Sequence, residues 1–234
     1  MRTTIRAAWA VAALLVAFGS VPRAAAQEGG ARFAVLPFEN TGSYGQDKEV
    51  FTALELGIPE VLSRALDRHP GADVVPSARL NETLRSMRLG PGQRVDAASA
   101  AEVGKQAGAR YTVTGSFADF YGKFRINARL VDTRTGEIVK VVSNDDPKGQ
   151  DRTQLAAIIQ LVAERLTSAA GLAPYPAGTA PPAIPTDALT AFSRALLHER
   201  EGNRAKASEW YQSAIKSFPQ FDEARTGLNR VQSP

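Results

Sequence analysis

The clearest pattern in the chain is a period of two in its middle third. Residues 123–132 alternate Phe124, Ile126, Ala128 and Leu130 against Arg125, Asn127 and Arg129, which predicts a strand with one buried and one wet face. Residues 111–120 precede it, with Tyr111, Val113 and Phe117 on one side, and residues 136–143 follow as a third strand. Tyr121-Gly122 and Thr133-Arg134-Thr135-Gly136 supply the hairpin turns between them. Upstream, Phe33-Ala34-Val35-Leu36-Pro37-Phe38 is a short apolar run, expected to be a strand buried on both faces.

Elsewhere the period is helical. Leu54, Ile58, Val61, Leu62 and Leu66 share one face, with Pro59 predicting a kink or a start and His69-Pro70-Gly71 the stop. Val74-Val75 is a second short strand. Ser77 is expected to cap a helix carrying Leu80, Leu84 and Met87, and Asp96 one that buries Ala100, Val103, Gly104 and Ala107 and ends at Gly108. Asp151 is expected to cap a helix with Leu155, Ile158, Ile159, Val162 and Leu166 on one face. The order β-α-β-α-α-β-β-β-α predicts an α+β fold, a mixed sheet with helices packed mainly on one face.

Residues 171–186 hold five of the 14 prolines, which predicts a semi-rigid linker over 172–186. It separates a domain at 32–171 from a small all-α module at 187–234. In that module Gly202-Asn203 is an interhelix turn, followed by Ala207, Tyr211, Ala214 and Pro219 and preceded by Ala188, Leu189, Phe192 and Ala195. These spacings resemble a tetratricopeptide repeat, with residues 221–231 as a capping helix. Arg194 and His198 depart from it, standing where an apolar residue is commoner. A lone repeat cannot bury its own face, so it must dock on the first domain or on a partner.

Composition narrows the chemistry. The 234 residues contain no cysteine and two histidines, His69 and His198, which removes thiolate nucleophiles, Cys-ligated metals and most His-rich cages. The net charge of +4 resides largely in the first 26 residues, which hold Arg2, Arg6 and Arg23 and no acid. Without them 25 basic residues face 24 acidic ones, and no basic stripe for nucleic acid remains. The same 26 residues read as a cleavable signal peptide: a basic start, an apolar run over 7–19, and Ala24-Ala25-Ala26 before Gln27. Only 16 uncharged residues lie between Arg6 and Arg23, below the ~20 needed to span a bilayer. The expected address is a bacterial periplasm, with no transmembrane span in the exported chain.

Arg32-Phe33-Ala34-Val35-Leu36-Pro37-Phe38-Glu39-Asn40 resembles the opening strand of the curli-secretion (CsgG/HfaB) family and of the related TolB amino-terminal domain. Residues 108–116 (GARYTVTGS) and 128–138 (ARLVDTRTGEI) resemble a later strand and hairpin of the same family, in the same order. The resemblance implies a non-enzymatic envelope-assembly factor working through protein contacts, without cofactor or metal. It also implies alternatives to curli-type secretion: a regulator of a peptidoglycan synthase, or a Tol-type scaffold. The chain departs from the channel-forming members in lacking an acylated cysteine and room for membrane hairpins, which points to a relative of the channel's periplasmic part.

Other motifs fall short of a chemical site. Gly42-Ser43-Tyr44-Gly45 follows a strand but lacks the Gly-Lys-Ser/Thr of a phosphate loop. Asp145-Asp146 lacks the alternating ligands of a calcium loop. His69 sits at a helix end, without a Ser or Asp at triad-like spacing. What remains is partner binding, with two candidate surfaces. The first is the Leu189, Phe192 and Leu196 stripe, either a peptide groove or the face docked on the cap helix. The second is the polar strand face with Thr112, Thr114, Arg125, Asn127 and Arg129; a homo-oligomer would make contact on that face or at a sheet edge.

Overall fold

The computed structural model describes residues 30–43, 47–89, 95–146, 150–178 and 183–233, so the expected signal peptide, Tyr44-Gly45 and Pro181-Pro182 lie outside the described residues. The elements are β1 (Ala31–Asn40), α1 (Lys48–Asp67), β2 (Ala72–Val74), α2 (Ser77–Ser86), α3 (Ala97–Ala107), β3 (Tyr111–Phe120), β4 (Lys123–Asp132), β5 (Ile138–Ser143), α4 (Leu155–Ala169), α5 (Thr186–Arg200), α6 (Arg204–Ser217) and α7 (Asp222–Gln232). This is the predicted α+β order. The strands form one mixed sheet in the order β2-β1-β3-β4-β5, with β1 parallel to β2 and β3 and the β3–β4–β5 meander antiparallel.

β1 is buried on both faces, as its unbroken apolar run predicts. Phe33 and Val35 join the large core formed with α1 and α4, whereas Ala34 and Leu36 face Leu80, Leu84, Val103 and Ala107 of α2 and α3. Pro37 has no amide to give a ladder, and the β1–β3 register shifts there, between Val35 and Phe38. Two-sided burial of a strand this apolar stabilises the sheet's centre by roughly 1.5–3 kcal/mol per large side chain.

Local expectations met mixed outcomes. Asp96 caps α3 by accepting from the Ser99 N–H at 2.7 Å, and Gly108 ends it at φ +77. Asp151 accepts from the Thr153 N–H at 2.9 Å, capping a single 3-10 turn (Arg152–Gln154) that leads into α4. Ser77 does not cap α2; its hydroxyl donates to Glu60 of α1 at 2.7 Å, and Pro76 holds the cap position. α1 neither starts nor stops at Pro59 but runs through it, because burial of its apolar face outweighs one missing hydrogen bond.

The C-terminal helices pack, by way of α5, on α1. Ala188, Leu189, Phe192, Tyr211 and Phe221 belong to the same apolar cluster as Leu54 and Ile58 of α1. At the crossing of α1 and α5, a methyl group built on Gly57 would lie 1.8 Å from Ser193 Oγ and 3.2 Å from Ser193 Cα. Arg194 and His198, the departures from the repeat pattern, turn toward Glu49 at the start of α1, at 3.4 and 3.7 Å. Thr186 Oγ1 donates to Arg152 O and Thr153 O, fixing the start of α5 to the turn before α4.

Candidate interaction surfaces

The stripe on α5 is closed. Leu189 and Phe192 are buried, and the Phe192 ring meets Phe221, just ahead of α7, at 4.7 Å and Tyr211 of α6 at 6.0 Å. Leu196 is half-buried beside the same cluster. Their side chains fill the junction of α5, α6 and α7 and offer no open groove. Close approach continues at α7, where a methyl on Gly227 would sit 2.3 Å from the Tyr211 ring.

A polar triad locks these three helices from the side. Tyr211 donates its hydroxyl to Glu199 at 2.5 Å, and Arg230 reaches the same carboxylate through Nε and through Nη2 at 2.8 Å. Burial pushes the Glu199 carboxyl up, yet the bonds from Arg230 and Tyr211 together outweigh burial and leave it below its ordinary value. Burial, and then the Glu199 hydrogen bond, raise the Tyr211 phenol far above its ordinary value, keeping it a neutral donor.

The second surface lies on the sheet. Arg125, Asn127 and Arg129 stand on the β4 face opposite the core residues Phe124, Ile126, Ala128 and Leu130. Arg125 is paired with Asp145 at 2.5 Å, so the Asp145-Asp146 pair is part of a surface ion pair. Arg129 is level with Thr114 on one side and Val141 on the other.

Sequence patterning missed the most exposed apolar groups. β5 reads as an apolar strand, but Ile138 is 46%, Val139 43% and Val141 54% exposed, since β5 is the edge and α4 covers only its Val142 end. At the tip of the β3–β4 hairpin Tyr121 is 92% exposed. Tyr121 and Gly122 both have positive φ, +54 and +88, a type I′ turn that favours Asn-Gly. Asp119 supports this tip from inside: one oxygen accepts from the Gly122 N–H and the other from Arg152, each at 2.7 Å.

The remaining candidates resolve into structural parts. Asn40 Oδ1 accepts from the Gly42 and Ser43 N–H groups, an Asx turn after β1. His69 Nδ1 accepts from the Gly71 N–H at 3.0 Å, so Nε2 carries the proton and donates to Ala173 O at 2.8 Å. The Tyr175 ring stands edge-on to it at 4.8 Å and its hydroxyl donates to Ala65 O at 3.0 Å, fixing the start of the linker to the end of α1. Among the described residues no group of three His, Asp or Glu side chains converges as a metal site. A cleft of about 170 Å³ between α1, α4 and Ile184 is lined by Val61, Ala65, Ala156 and Ile159, and its Arg64 is paired with Glu223. No described helix is long and apolar enough to cross a membrane.

No family model and no curated protein matches the chain. Among solved structures it is similar to the LpoB C-terminal domain from Salmonella enterica, with 18% identity, 50% of this chain and 82% of that one covered, and a TM-score of 0.40. It is similar to lipoprotein GNA1162 from Neisseria meningitidis at 20% identity, covering 58% and 99%, TM-score 0.37. It is also similar to TolB from Acinetobacter baumannii at 15% identity, covering 62% and 28%, TM-score 0.36. At such identities and TM-scores these likenesses assign neither family nor activity.

Proposed function

We propose that the chain is a non-catalytic protein of the bacterial cell envelope that acts by binding other proteins during secretion or assembly of envelope components, as the curli-secretion resemblance implies. One observation carries the reading. Among the described residues the exposed large apolar side chains are Phe120 and Tyr121 at the β3–β4 hairpin tip and Ile138, Val139 and Val141 on the sheet edge. Three neighbouring apolar groups exposed on one strand of an otherwise well-packed chain mark a contact surface.

The test is cross-linking of the full chain in native envelopes, followed by identification of the cross-linked proteins. Enrichment of secretion or assembly components is the expected result. Enrichment of a peptidoglycan synthase would move the assignment to a synthase regulator, and absence of any specific protein adduct would overturn the reading.

A further inference from the structure

Resting on that reading, we infer that β5 receives an extended segment of another protein, apolar and acidic in alternation, as a sixth strand of the sheet. The sheet ends on β5, so alternate N–H and C=O groups of Ile138–Ser143 point away from β4. Just past β5, the edge is already closed. There Asn144 Oδ1 accepts from the Ile126 N–H at 2.7 Å, Asn144 Nδ2 donates to Phe124 O at 2.8 Å, and Gln150 O accepts from the Phe124 N–H at 2.6 Å. A buried side-chain amide thus stands in for the next peptide group of a strand. Beyond β5 itself, Arg165 Nη1 donates to Ser143 O at its last residue, which leaves the outward groups nearer its start without such a substitute among the described residues.

Long apolar edges are ordinarily blunted by charge, proline or a bulge. On β5 the guards are Lys140 and a register shift opposite Leu130 and Val131, while Ile138, Val139 and Val141 stay exposed.

Charge selects the occupant. Lys140 is level with Leu130 on the core-side face, and Arg129 of β4 is level with Val141 on the other, so an added strand would lie next to Lys140 on one face and one strand removed from Arg129 on the other. Neither cation forms an ion pair with a described residue, whereas Arg125 already holds Asp145. Acidic side chains on one face of the added strand would answer Lys140, and apolar ones on its other face would cover Ile138 and Val141. A second copy of β5 meets like charges in its two central registers. In an antiparallel pair that continues the sheet, the register centred on Lys140 sets Lys140 against itself. The register centred on Val141 sets Glu137 against Asp145 at both ends.

The experiment measures binding of the full chain to a labelled heptapeptide, Thr-Val-Glu-Ile-Glu-Val-Thr, and to its counterpart with Lys in place of Glu, by fluorescence anisotropy. Amide exchange of β5 is followed in parallel. The acidic peptide is expected to bind about tenfold or more tightly than the basic one and to slow exchange of the β5 amides. Val141→Lys, at an exposed position, should weaken it about tenfold with an unchanged circular dichroism spectrum. Lys140→Glu should reverse the preference, and it decides the matter if Val141→Lys fails to fold. Equal binding of the two peptides, or unaltered exchange of β5, would overturn the inference. A concentration-dependent dimer abolished by Val141→Lys would overturn it in favour of self-association. Should Val141→Lys keep every adduct found in native envelopes, the edge assignment falls while the protein-binding role stands.

Discussion

Gly57 of α1 and Ser193 of α5 occupy the same small volume at the crossing of their helices: Ser193 Oγ lies where a Gly57 Cβ would be, and donates back to Leu189 O at 2.8 Å. The backbones can approach this closely only because one partner has no side chain and the other turns its hydroxyl into its own helix.

A first prediction follows from that overlap. Gly57→Ala gains up to about 1 kcal/mol of helix propensity, but a methyl 1.8 Å from Ser193 Oγ cannot fit without moving backbone. Overpacking should win, for a net loss of about 1–3 kcal/mol. Ser193→Gly in the same chain should recover part of it, a coupling that urea unfolding of the four variants reads directly. Strict additivity would mean that the helices are not in contact.

The Glu199–Tyr211–Arg230 triad makes the packing of α5–α7 sensitive to acid. The folded Glu199 carboxyl lies below its ordinary value of 4.5, so its contribution is complete above that value and is lost as pH falls through the lower folded one. Tyr211→Phe should cost about 1–3 kcal/mol at neutral pH, because a partly buried carboxylate loses a donor. It should also flatten the acid limb of a stability–pH curve; an unchanged limb would remove the triad as its cause.

Alkali should act on the linker clamp instead. Burial pushes the Tyr175 phenol up to about 12 from 10.0. The neutral form is the one the fold prefers, so this contribution is full below 10 and disappears as pH rises toward 12. Ultraviolet difference titration should show one tyrosine ionising late in this window, and Tyr175→Phe should delete that step. The same variant should cost about 1 kcal/mol through loss of the bond to Ala65 O.

At the hairpin tip a gain in stability is expected. Tyr121 holds φ +54 with its side chain in solvent, a conformation that asparagine adopts more readily. Tyr121→Asn should raise the stability by about 0.5–1 kcal/mol, read as a higher denaturation midpoint with an unchanged slope. If the tip contacts a partner, the same variant should weaken cross-linking in envelopes, so stability and binding would move in opposite directions.

Patterning along the chain was enough to place β3, β4, the double-sided β1 and the helix ends at Asp96 and Gly108, because alternation, turn residues and caps act within a few positions of themselves. It misjudged Ser77, because Pro76 takes the cap position and the Ser77 hydroxyl donates to Glu60 on another helix, and of the kink or start expected at Pro59 the start is not found, since α1 runs through it. The stripe of Leu189, Phe192 and Leu196 was legible as apolar, but not what would cover it. Only the tertiary structure decided that α5 crosses α1 at Gly57, that Arg194 and His198 turn to Glu49, and that Val139 and Val141 of β5 face solvent. Hydropathy records how much a residue avoids water; strand order and helix crossings, set by contacts between residues far apart in the chain, decide whether it succeeds.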